Sequence, residues 1–367
     1  MKENYNVGII GATGMVGQRF ITLLADHPWY TIKVLAASPR SAGKPYKEAV
    51  GAKWAMDEEI PASVADMIVM NATDDVEEIA KQVDFVFCAV DMKKDEIKAL
   101  EERYAKAECP VVSNNSAHRH TPDVPMIIPE INPHHIDIIP AQRERLGTKR
   151  GFIAVKSNCS LQSYLPAMAV INMKYPIDRA LVTTYQAISG AGKTFETWPD
   201  MVDNLIPYIG GEEMKSEVEP NKVLGHIEGG EIVPSTEMHI ECQTYRVPVS
   251  NGHTAAIFFS FKDGVEKPSV EEIEQMWRDY KGVPQELELP HAPKQFIHVY
   301  TEKDQPDQPQ IKTAREIDGG MAISCGRLRE STQYDYKMVS MSHNTLRGAA
   351  GGAVLLAELL TAKGYMD

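Results

Sequence analysis

Three glycines, Gly11, Gly14 and Gly17, stand in GIIGATGMVG, directly after the first apolar run and at the opening of the first amphipathic stretch. A strand end that turns through glycine into a helix start brings backbone N–H groups and the helix N-terminus against an anionic pyrophosphate. The surrounding rhythm supports that reading. NVGII, TIKVLAAS, MIVMNA, DFVFCAV and CPVVSN read as short buried strands, separated by QRFITLLADH, VEEIAKQV and KDEIKALEERYAKA, which read as helices. Strand and helix in alternation build a parallel sheet covered on both faces, so the expected class is α/β with a Rossmann-like doubly wound domain. The glycine pattern departs from GxGxxG in one place, where Ala12 holds the first glycine position and Gly11 is displaced by one. Gly11, Thr13, Gly14, Met15 and Val16 are the expected cofactor contacts of this turn.

The end of the second strand, AASPRSAGK, carries no carboxylate where NAD-binding folds place one for the ribose 2′-hydroxyl. Ser38, Arg40, Ser41 and Lys44 suit a 2′-phosphate instead, so the expected cofactor is NADP. A second glycine motif, AISGAGKT, ends like an ATP-binding P-loop, but Ala187 stands where that motif requires glycine.

From about Gly151 the rhythm changes. GFIAV leads into SLQSYLPAMAVINMK, read as an amphipathic helix, and then LVTTYQAIS, HIECQTYRVPV, HTAAIFFSF, QFIHVYT, GMAISCGRL and YKMVSMS follow with few helices between them. Successive strands predict an α+β domain with an antiparallel or mixed sheet, whose open face suits a partner subunit. NTLRGAAGGAVLLAELLTAKGY reads as a closing helix that returns to the first domain. The expected division is 1–155 with the helix 343–365 for the nucleotide-binding domain, and 156–342 for a catalytic and dimerisation domain. The stretch 302–310, EKDQPDQPQ, is the expected loop.

A net charge of −13 without any Lys/Arg block argues against a nucleic-acid partner. The chain has neither a long apolar run nor a secretory leader, which predicts no membrane partner and a cytoplasmic location. The five cysteines (Cys88, Cys109, Cys159, Cys242, Cys325) are widely spaced and include no CxxC, so neither a disulfide framework nor a metal site is expected. Cys159, in KSNCSLQSYL, follows a strand and precedes a helix, where the helix dipole favours the thiolate. His253, just past the Asn251-Gly252 turn and with Arg246 on the preceding strand, is a candidate for its base, though the residues alone do not single it out among the 11 histidines. Glu212 and Lys215 are spaced as a helical ion pair. From the residues alone, a buried inert thiol at Cys159 remains open.

The motifs GATGMVG, SNNSAHR, SNCS, YQAISGAGK, EEMK, RVPVSNGH and NTLRGAAGG occur in that order. In these the chain resembles the aspartate-semialdehyde dehydrogenase family over its whole length, and its archaeal and fungal branch in particular. The intervals from Cys159 to Gln186 and from Arg246 to His253 match the family's. The resemblance implies a homodimer or homotetramer and a small-molecule substrate. The implied activity is NADPH-dependent reductive dephosphorylation of aspartyl phosphate to aspartate semialdehyde, in lysine, threonine and methionine biosynthesis. It implies that Cys159 forms a thioester, that His253 is the general acid/base with a pKa near neutrality, and that Asn158 and Gln186 position the acyl group. Arg246 would clamp the α-carboxylate, Glu212 would face the α-ammonium, and Lys215 with Arg119 would hold the phosphate. Ser189, Gly190, Gly192 and Asn344 would contact the nicotinamide. Two rivals stay open at this point: an acyl-CoA reductase acting on malonyl-CoA, and a non-catalytic NADP-binding sensor.

Overall fold

The computed structural model describes residues 2–301 and 308–367. The first sheet contains β1 (Tyr5–Ile10), β2 (Tyr30–Ala37), β3 (Met70–Asn71), β4 (Phe85–Cys88), β5 (Val111–Ser113), β6 (Met126–Ile127) and β7 (Ile153–Lys156). They pair in the order β3-β2-β1-β4-β5-β7-β6, parallel throughout. Every residue of β4 and β7 is buried, because helices cover both faces, and this is why these strands read as unbroken apolar runs. The strand order reverses between β1 and β4, and in such a sheet the ligand crevice opens beyond the carboxyl ends at that reversal. Gly11 follows β1 there with φ +94°, and a Cβ on it would lie 2.2 Å from the carbonyl oxygen of Ala89. Only glycine meets both demands.

The second sheet begins with β8 (Ile177–Gln186). After a short hairpin of β9 (His226–Glu228) and β10 (Glu231–Val233) come β11 (His239–Arg246), β12 (His253–Phe261), β13 (Ile297–Tyr300), β14 (Ile323–Glu330) and β15 (Tyr336–Ser342). The order is β11-β8-β12-β15-β14-β13, with β11/β8 and β13/β14 parallel and the other neighbours antiparallel. The sheet is therefore mixed. Residues alternate between buried and more exposed along β8, β11 and β12, the pattern of a sheet with one face on a core and one face open. On the open face Tyr185 stacks on Tyr245, with ring centroids 5.8 Å apart.

The segment after GFIAV differs from the amphipathic helix expected there. A 3-10 turn, Leu161–Ser163, comes first, and the α-helix runs only over Leu165–Asn172 with proline in its first turn. All residues from Leu165 to Ile171 are buried. A helix that is apolar all round belongs between layers, not on a surface.

The C-terminal helix, Ala350–Ala362, is buried from Ala350 through Thr361 and packs on the Met15–Leu24 helix and on β5 and β7. The residues before it form turns instead of a first helical turn: Nδ1 of His343 accepts from the N–H groups of Thr345 and Leu346. The buried Glu358 anchors this helix. Its Oε1 accepts from Nε2 of His27 at 2.9 Å and from Nδ1 of His291 at 2.6 Å, and its Oε2 from the His291 N–H at 3.0 Å. Burial works against the charged carboxyl, but these bonds outweigh it and hold Glu358 below the ordinary carboxylate range.

The loop expected at 302–310 falls largely on 302–307, outside the described residues. Among the described residues no helix is long and apolar enough to cross a membrane.

Candidate active site

The second sheet sets one row of side chains along its end. Arg246, the last residue of β11, pairs with Gln186, the last of β8; Gln186 pairs with His253, the first of β12; and His253 pairs with Ser342, the last of β15. Sequence-distant residues thus become neighbours through strand register alone. Cys159 comes to this row from the loop after β7, so the first sheet supplies the sulfur and the second its partners.

Sγ of Cys159 lies 3.5 Å from Nε2 of His253. The ring's other nitrogen, Nδ1, accepts from the Ala187 N–H at 3.1 Å. A backbone N–H only donates, so Nδ1 carries no proton and the neutral ring presents Nε2–H to the sulfur. Burial, aided by the nearby Arg246 guanidinium, pushes His253 down to about 3. The near-neutral value expected from sequence is thus corrected: the environment keeps this imidazole uncharged.

The expected helix-terminus activation of Cys159 is corrected as well, because the α-helix starts only at Leu165. Burial, with Glu212 adding to it, pushes the thiol up, while Lys156, Arg119 and Arg246 pull it back down. The thiol stays above its ordinary value, and what opposes that rise is side-chain cations and not a helix dipole.

Asn158 donates through Nδ2 to both carboxylate oxygens of Glu212 at 3.1 Å, and its Oδ1 accepts from the N–H of Ser160 at 2.7 Å. Gln186 reaches Glu212 at 3.4 Å, and Lys215 pairs with Glu212 at 2.6 Å. Burial raises the Glu212 carboxyl, but Lys215, Asn158 and Gln186 outweigh it and the group stays below the ordinary carboxylate range. Arg246 spends one N–H on the Ala187 carbonyl at 2.6 Å. Room for this guanidinium depends on Gly190, since a Cβ there would lie 2.8 Å from Nη1 of Arg246 and 3.2 Å from Cε1 of His253. Arg119 pairs with Glu219 at 3.0 Å and donates to the Lys156 carbonyl at 3.1 Å. Asn344 fastens the far side, donating to Oγ of Ser189 at 2.9 Å and accepting from the Gly252 N–H at 2.7 Å.

A cavity of about 390 Å³ opens onto this wall. Of the residues named from sequence, Met15, Val16, Arg119, Asn158, Cys159, Ser189, Gly190, Gly192, Glu212, Lys215 and Asn344 line it. Gln186, Arg246 and His253 sit behind the lining, each almost fully buried. Next to it, a groove of about 310 Å³ is walled by Gly11, Thr13, Gly14 and Ser38, and it shares Val90, Asp91 and Met92 with the larger cavity. Gly14 is the N-cap of the Met15–Leu24 helix and makes no side-chain cap, and a Cβ on it would meet only the Gly11 carbonyl at 3.5 Å. The open helix end fits a pyrophosphate. Arg40 is exposed and Ser41 half-buried in the turn after β2, and neither lines the groove.

A semialdehyde dehydrogenase NAD-binding domain model matches residues 6–139, and a semialdehyde dehydrogenase dimerisation domain model matches residues 169–347. The aspartate-semialdehyde dehydrogenase of Candida albicans is 42% identical over 97% of this chain and 98% of its own length. The chain belongs to the aspartate-semialdehyde dehydrogenase family. The Methanothermobacter thermautotrophicus aspartate-semialdehyde dehydrogenase is 41% identical over 97% of this chain and 98% of its own length. The crystal structure of the Candida albicans aspartate-semialdehyde dehydrogenase with NADP superposes with a TM-score of 0.88 at 40% identity, covering 99% of both chains. The fungal and archaeal affinity read from the motifs is the one these relatives show.

Within this aspartate-semialdehyde dehydrogenase fold, the sequence reading missed two charged residues beside the sulfur. Glu219 accepts from Arg119 and from the Asn158 N–H at 2.8 Å, and Lys156 lines the main cavity. Glu219 sits seven positions after Glu212 in the Glu212–Val223 helix, on the same face, and that helical period was the available signal. Outside the site, His27, His291 and Glu358 bring potential metal-ligand atoms together, and they form the hydrogen-bonded anchor of the C-terminal helix.

Proposed function

We propose that the chain reduces L-aspartyl-4-phosphate to L-aspartate 4-semialdehyde with NADPH, in the synthesis of amino acids derived from aspartate. The observation that carries this reading is the placement of Cys159 on one cavity wall with Arg119, Lys215 and Glu212, while Arg246 stands behind it. A nucleophile thus meets cations for a phosphate and a carboxylate, and an anion for an ammonium.

The Cys159 thiolate attacks the acyl carbon, the bond to the phosphate oxygen breaks, and Arg119 and Lys215 take up the charge of the departing phosphate. Arg246 holds the α-carboxylate through the guanidinium N–H groups not used by Ala187, and Glu212 faces the α-ammonium. The acyl group is then a thioester on Cys159. His253 presents Nε2–H to this centre, so it donates a hydrogen bond to the acyl oxygen as negative charge develops there and keeps its proton; the oxyanion left by reduction collapses to the aldehyde as the C–S bond breaks and the Cys159 thiolate is released. NADPH, when bound, supplies the hydride for this reduction. Gly11, Thr13, Gly14 and the Met15–Leu24 helix N-terminus would hold its pyrophosphate, Ser38, Arg40 and Ser41 its 2′-phosphate, and Ser189, Gly190, Gly192 and Asn344 its nicotinamide.

The assembly inferred is a homodimer or homotetramer built through the open face of the second sheet, where Tyr185 is exposed. The test of function is an assay in the oxidative direction, following NADPH formation from aspartate semialdehyde and phosphate, with Cys159→Ser as control. Turnover by the wild type and none by the variant is the expected result. Inactivity with that substrate together with reduction of malonyl-CoA would replace this reading with an acyl-CoA reductase.

A further inference from the structure

Lys156 is the last residue of β7, is 1% exposed, and stands three positions before Cys159. Its ammonium has no counter-ion. Nζ donates to the Ser157 carbonyl, a neutral acceptor, and among the described residues no carboxylate lies within ion-pair distance of it. The neighbouring charges are otherwise matched: Arg119 with Glu219, Arg347 with Glu130, Lys215 with Glu212. Arg246 and Lys156 remain, and both act on Cys159. A carboxylate of the substrate accounts for Arg246, but no anion has been assigned to Lys156.

A buried ammonium without a partner is costly, and a fold that keeps one gains where an anion forms beside it. The sulfur of Cys159 is that anion. Its other neighbour cannot supply the positive charge, because His253 is held neutral with Nδ1 occupied by the Ala187 N–H.

We propose that Lys156 is the counter-charge of the Cys159 thiolate, a positioning residue whose ammonium makes the sulfur nucleophilic inside a buried wall. The inference rests on Cys159 being the nucleophile. The ionisation balances with solvent: the S–H bond breaks, its proton leaves to bulk water, and the sulfur anion forms beside an ammonium that keeps its own protons. Burial, with Arg119 adding to it, brings Lys156 down to about 7, and the charge of Cys159 acts in the opposite sense, so a thiolate formed beside the amine favours its ammonium form. The charged groups acting on Lys156 are Arg119, Arg347, Glu219 and Cys159; those acting on Cys159 are Glu212, Lys156, Arg119 and Arg246, with His253 against the sulfur.

The pH dependence of alkylation by iodoacetamide tests this, because the other four cysteines are buried and Cys159 alone is accessible. Wild type, Lys156→Met and Lys156→Arg are compared without substrate or cofactor. In Lys156→Met the expected midpoint for thiolate formation moves up by at least about one pH unit, and the rate at neutral pH falls about tenfold. The plateau rate at high pH is unchanged, and Lys156→Arg keeps the wild-type midpoint. Lys156→Met is also expected to melt no lower than the wild type, since it removes an unpaired buried charge. If it fails to fold, Lys156→Gln is measured in its place. An unchanged midpoint in a folded variant overturns the proposal. A wild type whose Cys159 resists alkylation at every pH overturns both this proposal and the nucleophile it rests on. A wrong substrate assignment alters neither outcome.

Discussion

The backbone N–H of Ala187 donates to Nδ1 of His253, and this single bond decides which ring nitrogen carries the proton that faces Cys159. Ala187 follows the last residue of β8 and His253 opens β12, so the tautomer is set by sheet register and not by a side-chain partner. With the ring buried and Arg246 near it, His253 stays neutral down to about 3. The Cε1–H NMR signal of His253, assigned by its loss in His253→Asn, is therefore expected to hold its neutral position from about pH 8 to about pH 5, through the range where an ordinary histidine titrates. A midpoint near the ordinary histidine value would show that the ring is not held neutral and can carry positive charge beside the sulfur.

That result bears on how much of the site is legible in sequence. The strands of the first sheet were readable because both faces are buried, which leaves runs such as DFVFCAV, and the glycine turn was readable because Gly11 has no alternative. The helix after Cys159 was misread because Leu165–Asn172 is buried all round, so the polar residues of SLQSYL belong to the preceding turn and do not mark a solvent face. Lys156 closes the apolar strand IAVK and gives no periodic signal that it enters a cavity. The row Arg246, Gln186, His253 depends on the pairing of three strands from distant parts of the chain, and only the family resemblance could select those residues in advance.

Arg246→Lys tests the clamp. One guanidinium N–H is spent on the Ala187 carbonyl, so the remaining fork must hold the carboxylate, and an ammonium cannot do both. Loss of one charge-assisted bond corresponds to about 2–3 kcal/mol, so kcat/KM for aspartate semialdehyde should fall by roughly 100-fold. Steady-state kinetics give the answer, and a change below about threefold would remove Arg246 from the substrate site.

Arg40→Ala tests cofactor choice. Arg40 is exposed and its neighbour Ser38 lines the groove, so its guanidinium is available to a 2′-phosphate and to nothing that NAD carries at that position. The dissociation constant for NADP, measured by fluorescence titration, should rise about tenfold or more, with that for NAD changing less than about twofold. Equal losses for both nucleotides would refute the 2′-phosphate role.

Acid should weaken the fold before its paired carboxylates titrate, through histidines buried in neutral form. His135 donates to the Gly225 carbonyl and accepts from Asn132, and burial pushes it down to about 4. The unfolded chain takes up this proton near the ordinary histidine value and the native state does not. The contribution is therefore complete above that value and is lost as pH falls from it toward about 4, amounting to ~3 kcal/mol at most. The buried Glu101 carboxyl, which burial raises, acts in the opposite sense over part of the same range. Comparing His135→Gln with wild type isolates the histidine: denaturant midpoints measured against pH should fall less steeply with acid in the variant. Parallel curves would mean that His135 is not neutral in the native state.

Gly190→Ala asks whether the Arg246 clamp and the His253 ring share one steric limit. The added methyl group would meet Nη1 of Arg246 at 2.8 Å and the His253 ring at 3.2 and 3.3 Å, distances that force at least one of them to move. Gly190 has no positive φ, so alanine brings no backbone strain, and its place in the short Ile188–Ala191 turn is compatible with a side chain. The melting temperature should therefore change by only a few degrees while kcat falls about tenfold or more, because displacement of a positioned catalytic group acts on the transition state more than on folding. Calorimetry and steady-state kinetics on the same preparation separate the two effects. Full activity in a folded Gly190→Ala would show that Arg246 and His253 have slack that their packed positions do not display.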